Sequence, residues 1–464
     1  MLPTLIARYR AWMFCSALMA LPALAQTAPS GAERPAADLS SNLGSIALSP
    51  SPSARELFAN TRDAIVQVRV LLASANEQAT LGSGFVARDL GVAGALVVTN
   101  FHVIADLAVD PDKYRIELRG TNQRLVSARL VAVDVIHDLA VLRTEPAPGV
   151  TPTPWQVLPL NADTMSQGAP VYALGNPLEL GFLISEGLYN GSVEKRLYEQ
   201  MLFSGSLNSG MSGGPAINQA GEVIGVNVAT RRDGEQLSFL VPARYAKLLL
   251  EGTGNSPSPT DWRPEIGRQL LAHQAHIFSK FQTGTQTGQS GPAVAGMSTQ
   301  RLGDRTVPTL DGSLTRCWAQ GRTGEKLLYR SDALNCSLSE DVFAGSGVYA
   351  GSLRINHRLV RNDQLATPQF IALGAEIQGA KGGMGGRNRA KGQCHDDYVQ
   401  ARDHVYRVAV CVQAYRKFNG LFDYTLTATQ VDSTSERLSS SLSMKGLSFE
   451  NAQALSRLFL ERMQ

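Results

Sequence analysis

Short β-type segments fill the first half of the chain and limit the folds that it can adopt. They begin at Ala64–Val70 and recur, between turns rich in Gly, Asn, Asp and Pro, as far as Leu237–Val241. Few intervening stretches are long enough for an amphipathic helix, which predicts an antiparallel barrel or sandwich. The first clear helix runs from Pro242 to Glu251 and is followed by Gly252. We therefore expect the first folded domain to span residues 53–252.

Size and composition indicate a globular, multidomain protein. The chain has 464 residues, which favours two to four domains. Hydrophobic residues make up 44% and charged residues 18%, which is typical of ordered domains rather than of disorder. The net charge of +3 is too small to indicate a nucleic-acid partner, and we expect none.

The amino terminus has the pattern of an export signal. Arg8 and Arg10 precede an apolar segment from Ala11 to Leu24, and Ala-Leu-Ala at 23–25 fits a cleavage site. We predict a signal peptide at residues 1–25, with the periplasm as the first destination and secretion as the second. The apolar segment is short for a bilayer, so we expect no stable membrane insertion, a retained anchor being the alternative. Residues 26–52, rich in Ala, Ser and Pro, predict a flexible leader.

A serine between glycines, in Gly210-Met211-Ser212-Gly213-Gly214-Pro215, is the strongest chemical signal in the chain. Flanking glycines permit a tight turn that presents the Ser212 hydroxyl, and the amides of Gly210 and Ser212 could form an oxyanion hole. The alternative is a plain Gly/Ser turn between strands. A hydroxyl needs a base to become a nucleophile. His102 follows the apolar strand 95–98, where a rigid strand end can hold an imidazole for proton transfer.

A carboxylate for orienting this imidazole lies further along. Asp138 opens the apolar strand 138–142, where its carboxylate could accept the imidazole N–H and fix the tautomer. Asp134, before the turn, is the competing candidate. The order His102, Asp138, Ser212 is that of the double β-barrel serine proteases, whereas α/β-hydrolases have the order Ser, Asp, His.

Several segments together resemble the trypsin-like proteases of the HtrA (Deg) type over residues 55–250. The similar segments are Gly82–Val86, Thr99–Val103, Asp138–Leu142, Gly175–Pro177, Ser238–Pro242 and the Gly-x-Ser-Gly-Gly motif around Ser212. The resemblance implies an all-β chymotrypsin-like double barrel, protein or peptide substrates, no cofactor, and an acyl-enzyme formed by a His102–Asp138–Ser212 triad. It stops at the protease domain, because no carboxylate-binding loop of the PDZ type follows residue 250.

The resemblance also implies where a specificity pocket would lie. In this fold the primary pocket is built around the residue six before the nucleophile, Ser206, and the strand Val226-Asn227-Val228. Position 206 carries no acidic residue, which disfavours a preference for basic side chains. Asn227 stands where glutamate-specific relatives have histidine. We therefore expect a pocket for small or medium apolar side chains.

The remainder of the chain resembles no family that we can name. We predict a linker at 253–309 with one short helix, Glu265–Phe281, and a β-rich domain at 310–464 ending in a helix from about Phe449, with Ser448 as N-cap. Four cysteines remain once the signal is removed: Cys317, Cys336, Cys394 and Cys411. An even number in an exported protein favours disulfides, and sequential pairing is the simplest of three connectivities.

Weaker signals in this half have simpler interpretations. A metal site at Cys394 and His395 lacks a second ligand pair, so we expect no metal. His273 and His276 are expected to be solvated residues of the short helix. The basic segment Gly379–Gly392 is expected to be a mobile, solvated loop, with contact to an anionic lipid or polymer as the alternative.

These patterns predict an exported serine endopeptidase, with envelope protein quality control or processing as its hypothetical role. Two other classes of function remain open. One is a protease-fold module that has lost activity and binds peptides or adaptors. The other is a cell-envelope binding protein that acts through its C-terminal domain.

Overall fold

The computed structural model describes residues 51–147, 149, 153–176, 181–230, 238–253, 259–282, 297–310, 315–324, 327–377, 385–401 and 403–463. The predicted signal peptide and all but the last two residues of the predicted leader lie outside these ranges. Among the described residues, no helix combines the length and apolar character needed to cross a membrane.

Six antiparallel strands close into a first barrel. They are β1 (Ile65–Leu72), β2 (Glu77–Asp89), β3 (Ala95–Thr99), β4 (Tyr114–Gly120), β5 (Leu125–Asp134) and β6 (Leu139–Glu145), in the spatial order β1-β2-β3-β6-β5-β4. Helix α1 (Pro52–Thr61) precedes this barrel, and α2 (Phe101–Val109) follows β3. The Ser51 hydroxyl caps α1 by accepting from the Ala54 amide at 3.0 Å.

Six further strands close into a second barrel. They are β7 (Pro170–Gly175), β8 (Leu183–Ser192), β9 (Met201–Phe203), β10 (Pro215–Ile217), β11 (Val223–Thr230) and β12 (Ser238–Pro242), in the order β10-β11-β12-β9-β8-β7. Helix α3 (Ala243–Glu251) follows. Side chains of both barrels, among them Phe85, Val98, Tyr172 and Leu174, pack into one apolar cluster between them. The expected double β-barrel is confirmed.

Helix α2 was not predicted from the sequence. Six of its side chains are buried: Phe101, Val103, Ile104, Ala105, Ala108 and Val109. A helix that is apolar on most sides lacks the one-sided pattern by which surface helices are found. Part of this burial comes from the C-terminal part of the chain, since Val342, Ala344, Val348 and Ala350 belong to the same apolar core as α2 and the first barrel.

The C-terminal part is built on a seven-stranded antiparallel sheet. Its strands are β15 (Arg316–Arg322), β16 (Tyr329–Gly345), β17 (Val348–Asn362), β18 (Gln393–Ala401), β19 (His404–Ala414), β20 (Phe422–Gln430) and β21 (Glu436–Leu447), in the order β15-β16-β17-β21-β20-β19-β18. Helix α5 (Thr367–Ile377) follows β17, and α6 (Phe449–Glu461) ends the sequence of elements. The Ser448 hydroxyl caps α6 by accepting from the Asn451 amide at 3.3 Å, the residue expected from the sequence.

The predicted linker at 253–309 holds more regular structure than expected. It contains α4 (Arg263–Gln282) and a hairpin of β13 (Met297–Leu302) with β14 (Arg305–Leu310). Trp262 and Ile266 pack into the core of the first barrel, whereas Ile277 and Phe278 pack against the C-terminal sheet. Helix α4 thus connects the first barrel to the C-terminal sheet through buried contacts. The pattern of residues within α4 alone does not reveal these contacts.

Two further expectations from this half need correction. His273 on α4 is only 2% exposed rather than solvated, and its Nδ1 lies 3.0 Å from the Tyr198 hydroxyl. In the described part of the basic segment 379–392, Arg387 forms an ion pair with Asp110, and Arg389 lies 3.1 Å from Asp423. These arginines therefore hold residues 385–392 to their neighbours; the rest of the segment lies outside the described residues.

Both predicted disulfides join neighbouring strands. Cys317 of β15 pairs with Cys336 of β16, and Cys394 of β18 pairs with Cys411 of β19, each with a Cα–Cα distance of 4.1 Å. The alternative of a metal site at Cys394 and His395 is excluded, because the Cys394 sulfur is bonded to Cys411. Each bridge ties one edge strand of the sheet to the strand beside it.

Candidate active site

The imidazole of His102 and the carboxylate of Asp138 form a close pair between two elements of the first barrel. His102 lies in the first turn of α2, and Asp138 lies in the turn between β5 and β6. The Nδ1 atom of His102 is 2.6 Å from Oδ2 of Asp138, and the His102 amide donates to Oδ1 at 2.8 Å. Two contacts from one carboxylate therefore fix both the ring and the backbone that carries it.

An unusual backbone conformation at Asp138 makes this arrangement possible. Its φ is +56°, a left-handed region that aspartate tolerates better than most residues. In this conformation the Asp138 carbonyl accepts from the Phe101 amide at 3.0 Å and from Nδ2 of Asn100 at 2.9 Å. Both the carbonyl and the carboxylate of Asp138 thus face the start of α2, where backbone donors lack partners within the helix.

Electrostatics tune His102 in two opposing ways. Burial lowers the pKa of its imidazole, while the charge of Asp138 and the hydrogen bond to it raise that pKa. The net effect holds the pKa above the ordinary 6.5. The imidazolium is therefore favoured relative to a histidine free in solution.

The loop that carries Ser212 depends on Gly213. Gly213 has φ +85°, and a Cβ at this position would lie 2.3 Å from both the Ser83 carbonyl oxygen and Oγ1 of Thr99. The same Cβ would lie 2.8 Å from the Asn100 amide. The residue after Ser212 is thus pressed against the residues that immediately precede His102, and only glycine fits there.

Two buried polar side chains hold this loop, and sequence reasoning missed both roles. The Ser83 amide donates to the Ser212 carbonyl at 2.8 Å, and the Ser83 hydroxyl donates to the Gly210 carbonyl at 2.6 Å. Nδ2 of Asn227 donates to the Leu174 carbonyl at 2.9 Å and lies 3.4 Å from the Met211 carbonyl. Ser83 stands in the Gly-Ser-Gly-Phe-Val segment used for the resemblance, which was the available signal.

The Ser212 hydroxyl donates to the Val228 carbonyl at 2.5 Å. Its side chain is half-buried, and rotation about its Cα–Cβ bond alone would redirect the hydroxyl. Among the described residues, neither the Gly210 amide nor the Ser212 amide has a hydrogen-bond acceptor. Two such amides can serve as donors to an oxyanion.

The four residues expected to build the specificity pocket differ in exposure. Ser206 is exposed, whereas Val226 is fully buried in the core between the barrels. Asn227 is also fully buried, and its amide holds the loop described above. Val228 lines the cavity beside His102. That these four residues form the primary pocket stays a prediction.

A cavity of about 680 Å³ opens beside His102. Barrel residues line one side, including His102, Asp138, Val135, Ile136 and Val228. Val342, Phe343 and Tyr349 of the C-terminal sheet line the other. No pattern in the sequence indicates that residues so far apart along the chain border one cavity.

A second His–Asp pair lies in the turn that precedes Asp138. Nδ1 of His137 is 2.6 Å from Oδ2 of Asp134, the carboxylate that competed with Asp138 in the sequence. The His137 ring stacks on Tyr245 with centroids 3.7 Å apart. In the described part of the chain, its buried Nε2 has no hydrogen-bond partner. The structure therefore assigns Asp134 to His137 and leaves Asp138 as the partner of His102.

Two closed six-stranded barrels, with a His–Asp pair in one and a glycine-flanked serine in the other, define the chymotrypsin-like class of fold. Residues 82–226 match the trypsin-like peptidase domain family, a span that contains His102, Asp138 and Ser212. The chain thus carries a trypsin-like peptidase domain.

Relatives of the HtrA type are similar to this part of the chain. The mitochondrial serine protease HTRA2 of Bos taurus is 31% identical over 275 residues, covering 54% of this chain and 56% of that protein. The serine endoprotease DegS of Escherichia coli K12 is 32% identical over 184 residues, covering 37% of this chain and 48% of that protein. The crystal structure of the serine endoprotease from Yersinia pestis is 30% identical, covering 44% of this chain and 66% of that one, with a TM-score of 0.36. The chain spans about half the length of the curated relatives that it matches.

Proposed function

We propose that the protein is an exported serine endopeptidase that hydrolyses peptide bonds through His102, Asp138 and Ser212. The observation that carries the proposal is the 2.6 Å contact between Nδ1 of His102 and Oδ2 of Asp138, on a helix whose start abuts the Ser212 loop. The similarity to proteins named as serine proteases supports the same reaction.

The reaction follows from the roles that these groups can take. Nε2 of His102 accepts the Ser212 proton as Oγ attacks the peptide carbonyl, and the amides of Gly210 and Ser212 donate to the resulting oxyanion. His102 then protonates the departing amine, which leaves an acyl-enzyme on Ser212. Water then attacks this ester as His102 takes its proton. The bond to Oγ of Ser212 breaks, His102 returns the proton to Oγ, and the carboxylic acid product leaves. Asp138 stabilises the imidazolium in both halves of the reaction.

The decisive test is Ser212→Ala. Loss of the nucleophile in a triad lowers turnover about 10⁶-fold, which corresponds to roughly 8 kcal/mol of barrier. Degradation of an unfolded test protein should fall to background in this variant. Ser209→Ala, three residues away at an exposed position, provides a matched control and should retain parental activity. Equal degradation by the Ser212→Ala variant and the parent would exclude the assignment.

A binding module without activity is the second candidate function, and one observation favours it. The Ser212 hydroxyl is engaged by the Val228 carbonyl at 2.5 Å. If this bond persists in solution, the hydroxyl cannot give its proton to His102. A fluorophosphonate probe separates the two candidates, because it labels only an activated serine. Labelling of the parent at Ser212, abolished in Ser212→Ala, supports the peptidase; its absence supports the binding module.

Export and a role in envelope protein quality control or processing form the remaining part of the proposal. Two disulfides in one sheet favour an oxidising compartment. The pattern at residues 1–25 favours cleavage of a signal peptide. Intact-mass analysis of the protein recovered from a periplasmic fraction should give a chain that lacks these residues. Recovery of the full-length chain in the cytoplasm would contradict export.

A further inference from the structure

We propose that the hairpin formed by β16 and β17 completes a substrate-binding subsite beside His102, which takes a bulky apolar side chain of the peptide. The inference rests on the proposed endopeptidase function. It adds that the substrate preference is set in part by the C-terminal sheet. Phe343 and Tyr349 are the specificity-determining residues of this subsite.

The walls of the cavity have the chemistry of an apolar side-chain pocket. Val135, Ile136 and Val241 contribute from the barrels, and Phe343 and Tyr349 close the opposite side. The two rings of the hairpin lie edge to face with centroids 5.4 Å apart. The volume of about 680 Å³ exceeds what one aromatic side chain needs and lies in the range of ligand pockets.

The charged groups that line this cavity already have partners. Glu199 forms an ion pair with Arg244, and Asp341 lies 3.8 Å from Arg354. The carboxylate of Asp134, behind the lining residue His137, accepts from that ring. A charged substrate side chain would lose water and meet carboxylates that already accept hydrogen bonds or ion pairs, whereas an apolar side chain gains from leaving water.

The hairpin is held rigidly against the helix that carries His102. Val342 and Ala350 are buried in the core shared with α2, and a Cβ on Gly345 at the hairpin turn would lie 3.4 Å from Val109. The buried Tyr415 hydroxyl donates to the Tyr349 carbonyl at 2.8 Å. A wall fixed in this way is preorganised, so little ordering is needed when a side chain binds.

Salt bridges between the C-terminal part and the end of α2 strengthen the attachment of the hairpin. Nζ of Lys417 lies 2.8 Å from both carboxylate oxygens of Asp110, which directly follows α2. Arg387 binds the same carboxylate. Lys417 and Arg387 thus connect the C-terminal part of the chain to the residue that directly follows α2.

The position of the cavity identifies its occupant as part of the substrate. His102 lines it, and so does Val228, whose carbonyl accepts from the Ser212 hydroxyl. A side chain bound here belongs to a peptide whose scissile bond is only a few residues away. Asp138 also lines the cavity and is 22% exposed. A bound apolar side chain would exclude water from the His102–Asp138 pair and strengthen their interaction.

The test compares Phe343→Ala and Tyr349→Ala with the parent on a fluorogenic peptide library varied at each position before the scissile bond. We expect the parent to prefer a bulky apolar residue at one of these positions. In both variants kcat/KM for the preferred peptide should fall about ten-fold or more, through both a lower kcat and a higher KM. The matched peptide with alanine at that position should be cleaved within about two-fold of the parental rate.

Two controls separate this effect from misfolding and from failure of the proposed function. Phe449→Ala removes a ring that pairs with Phe422 at 5.8 Å elsewhere in the C-terminal part, and should keep the parental preference. A small fluorophosphonate probe has no peptide side chain to place in the cavity, so it should label Ser212 at the same rate in all variants. Retention of the preference in both variants, or no apolar preference in a parent that labels and cleaves, overturns the inference alone. A parent that neither labels nor cleaves overturns the proposed function, and the inference with it.

Discussion

The two His–Asp pairs of the first barrel have the same ring-to-carboxylate distance but different surroundings. In each, Nδ1 lies 2.6 Å from Oδ2, for His102 with Asp138 and for His137 with Asp134. Asp134 binds within its own turn, accepting from the Ile136 and His137 amides. Asp138 instead reaches across to α2. One pair thus stabilises a local turn, and the other connects two elements.

The surroundings of each imidazole ring away from its carboxylate differ more between the two histidines. The His137 side chain is 17% exposed, its ring stacks on Tyr245, and its Nε2 is buried. The His102 side chain is 33% exposed and lines the cavity beside the Ser212 loop. A carboxylate contact alone therefore does not mark a catalytic histidine. What distinguishes the candidate base is whether its second nitrogen can exchange a proton with a reacting group.

Replacing each carboxylate by its amide should break the two pairs with very different consequences. In Asp138→Asn the new amide donates to Nδ1 of His102, which forces the proton onto Nε2 and prevents it from acting as a base. We expect kcat to fall about 10⁴-fold. Asp134→Asn makes the same change at His137 and should leave kcat within a few-fold of the parent. Peptide cleavage assays measure both; a comparable loss in Asp134→Asn would show that the second pair takes part in catalysis.

Sequence reasoning succeeded where the signal was local. Short strands between turns predicted a barrel or sandwich, the resemblance implied that there are two barrels, and the Ser448 cap located the start of α6. Sequential pairing, the simplest of the three connectivities, is the one found for Cys394 and Cys411. In each case neighbouring residues carry the information, because periodicity, caps and turns act over a few positions.

It failed where burial comes from distant parts of the chain. Phe101–Val109 forms a helix that is covered by the C-terminal sheet, so its exposed face is missing from the pattern. His273 is buried for the same reason, under a contact with Tyr198 from the second barrel. Asn227 was expected in a pocket, yet barrel register turns it inward to hold the Ser212 loop. Register and interdomain packing are not encoded at a single position.

The pKa of His102 offers a finer test of the first pair. Because the pKa of its imidazole is raised above 6.5, kcat/KM should rise with pH through this higher value as the neutral base forms. In Asp138→Asn the charge that raises the pKa is lost while burial, which lowers it, remains. The ring should then titrate below 6.5, measurable by NMR in a Ser212→Ala background. A titration midpoint unchanged by Asp138→Asn would contradict this account.

The raised pKa of His102 also makes the free energy of unfolding depend on pH. The folded-state pKa of His102 is raised, so protonation of the pair adds to the free energy of unfolding at pH values below the unfolded-state pKa. This contribution is lost as pH rises through the folded-state pKa. Urea unfolding measures this contribution. It is carried out on Ser212→Ala and on the double variant Ser212→Ala/Asp138→Asn, at one pH below the unfolded-state pKa and at one above the folded-state pKa. The difference between them should shrink as the pH increases.

The second pair should matter for folding instead of turnover. His137→Ala removes a ring stacked at 3.7 Å on Tyr245 and a hydrogen bond to Asp134. Together these losses should lower the free energy of unfolding by about 2 kcal/mol. His137→Phe retains an aromatic ring for stacking and should recover about half of this loss. Urea denaturation with intact disulfides measures both variants. Below the transition, the peptide with alanine at the varied position, which does not fill the cavity, should be cleaved near the parental rate. A large loss of kcat with unchanged stability would reverse the roles assigned to the two pairs.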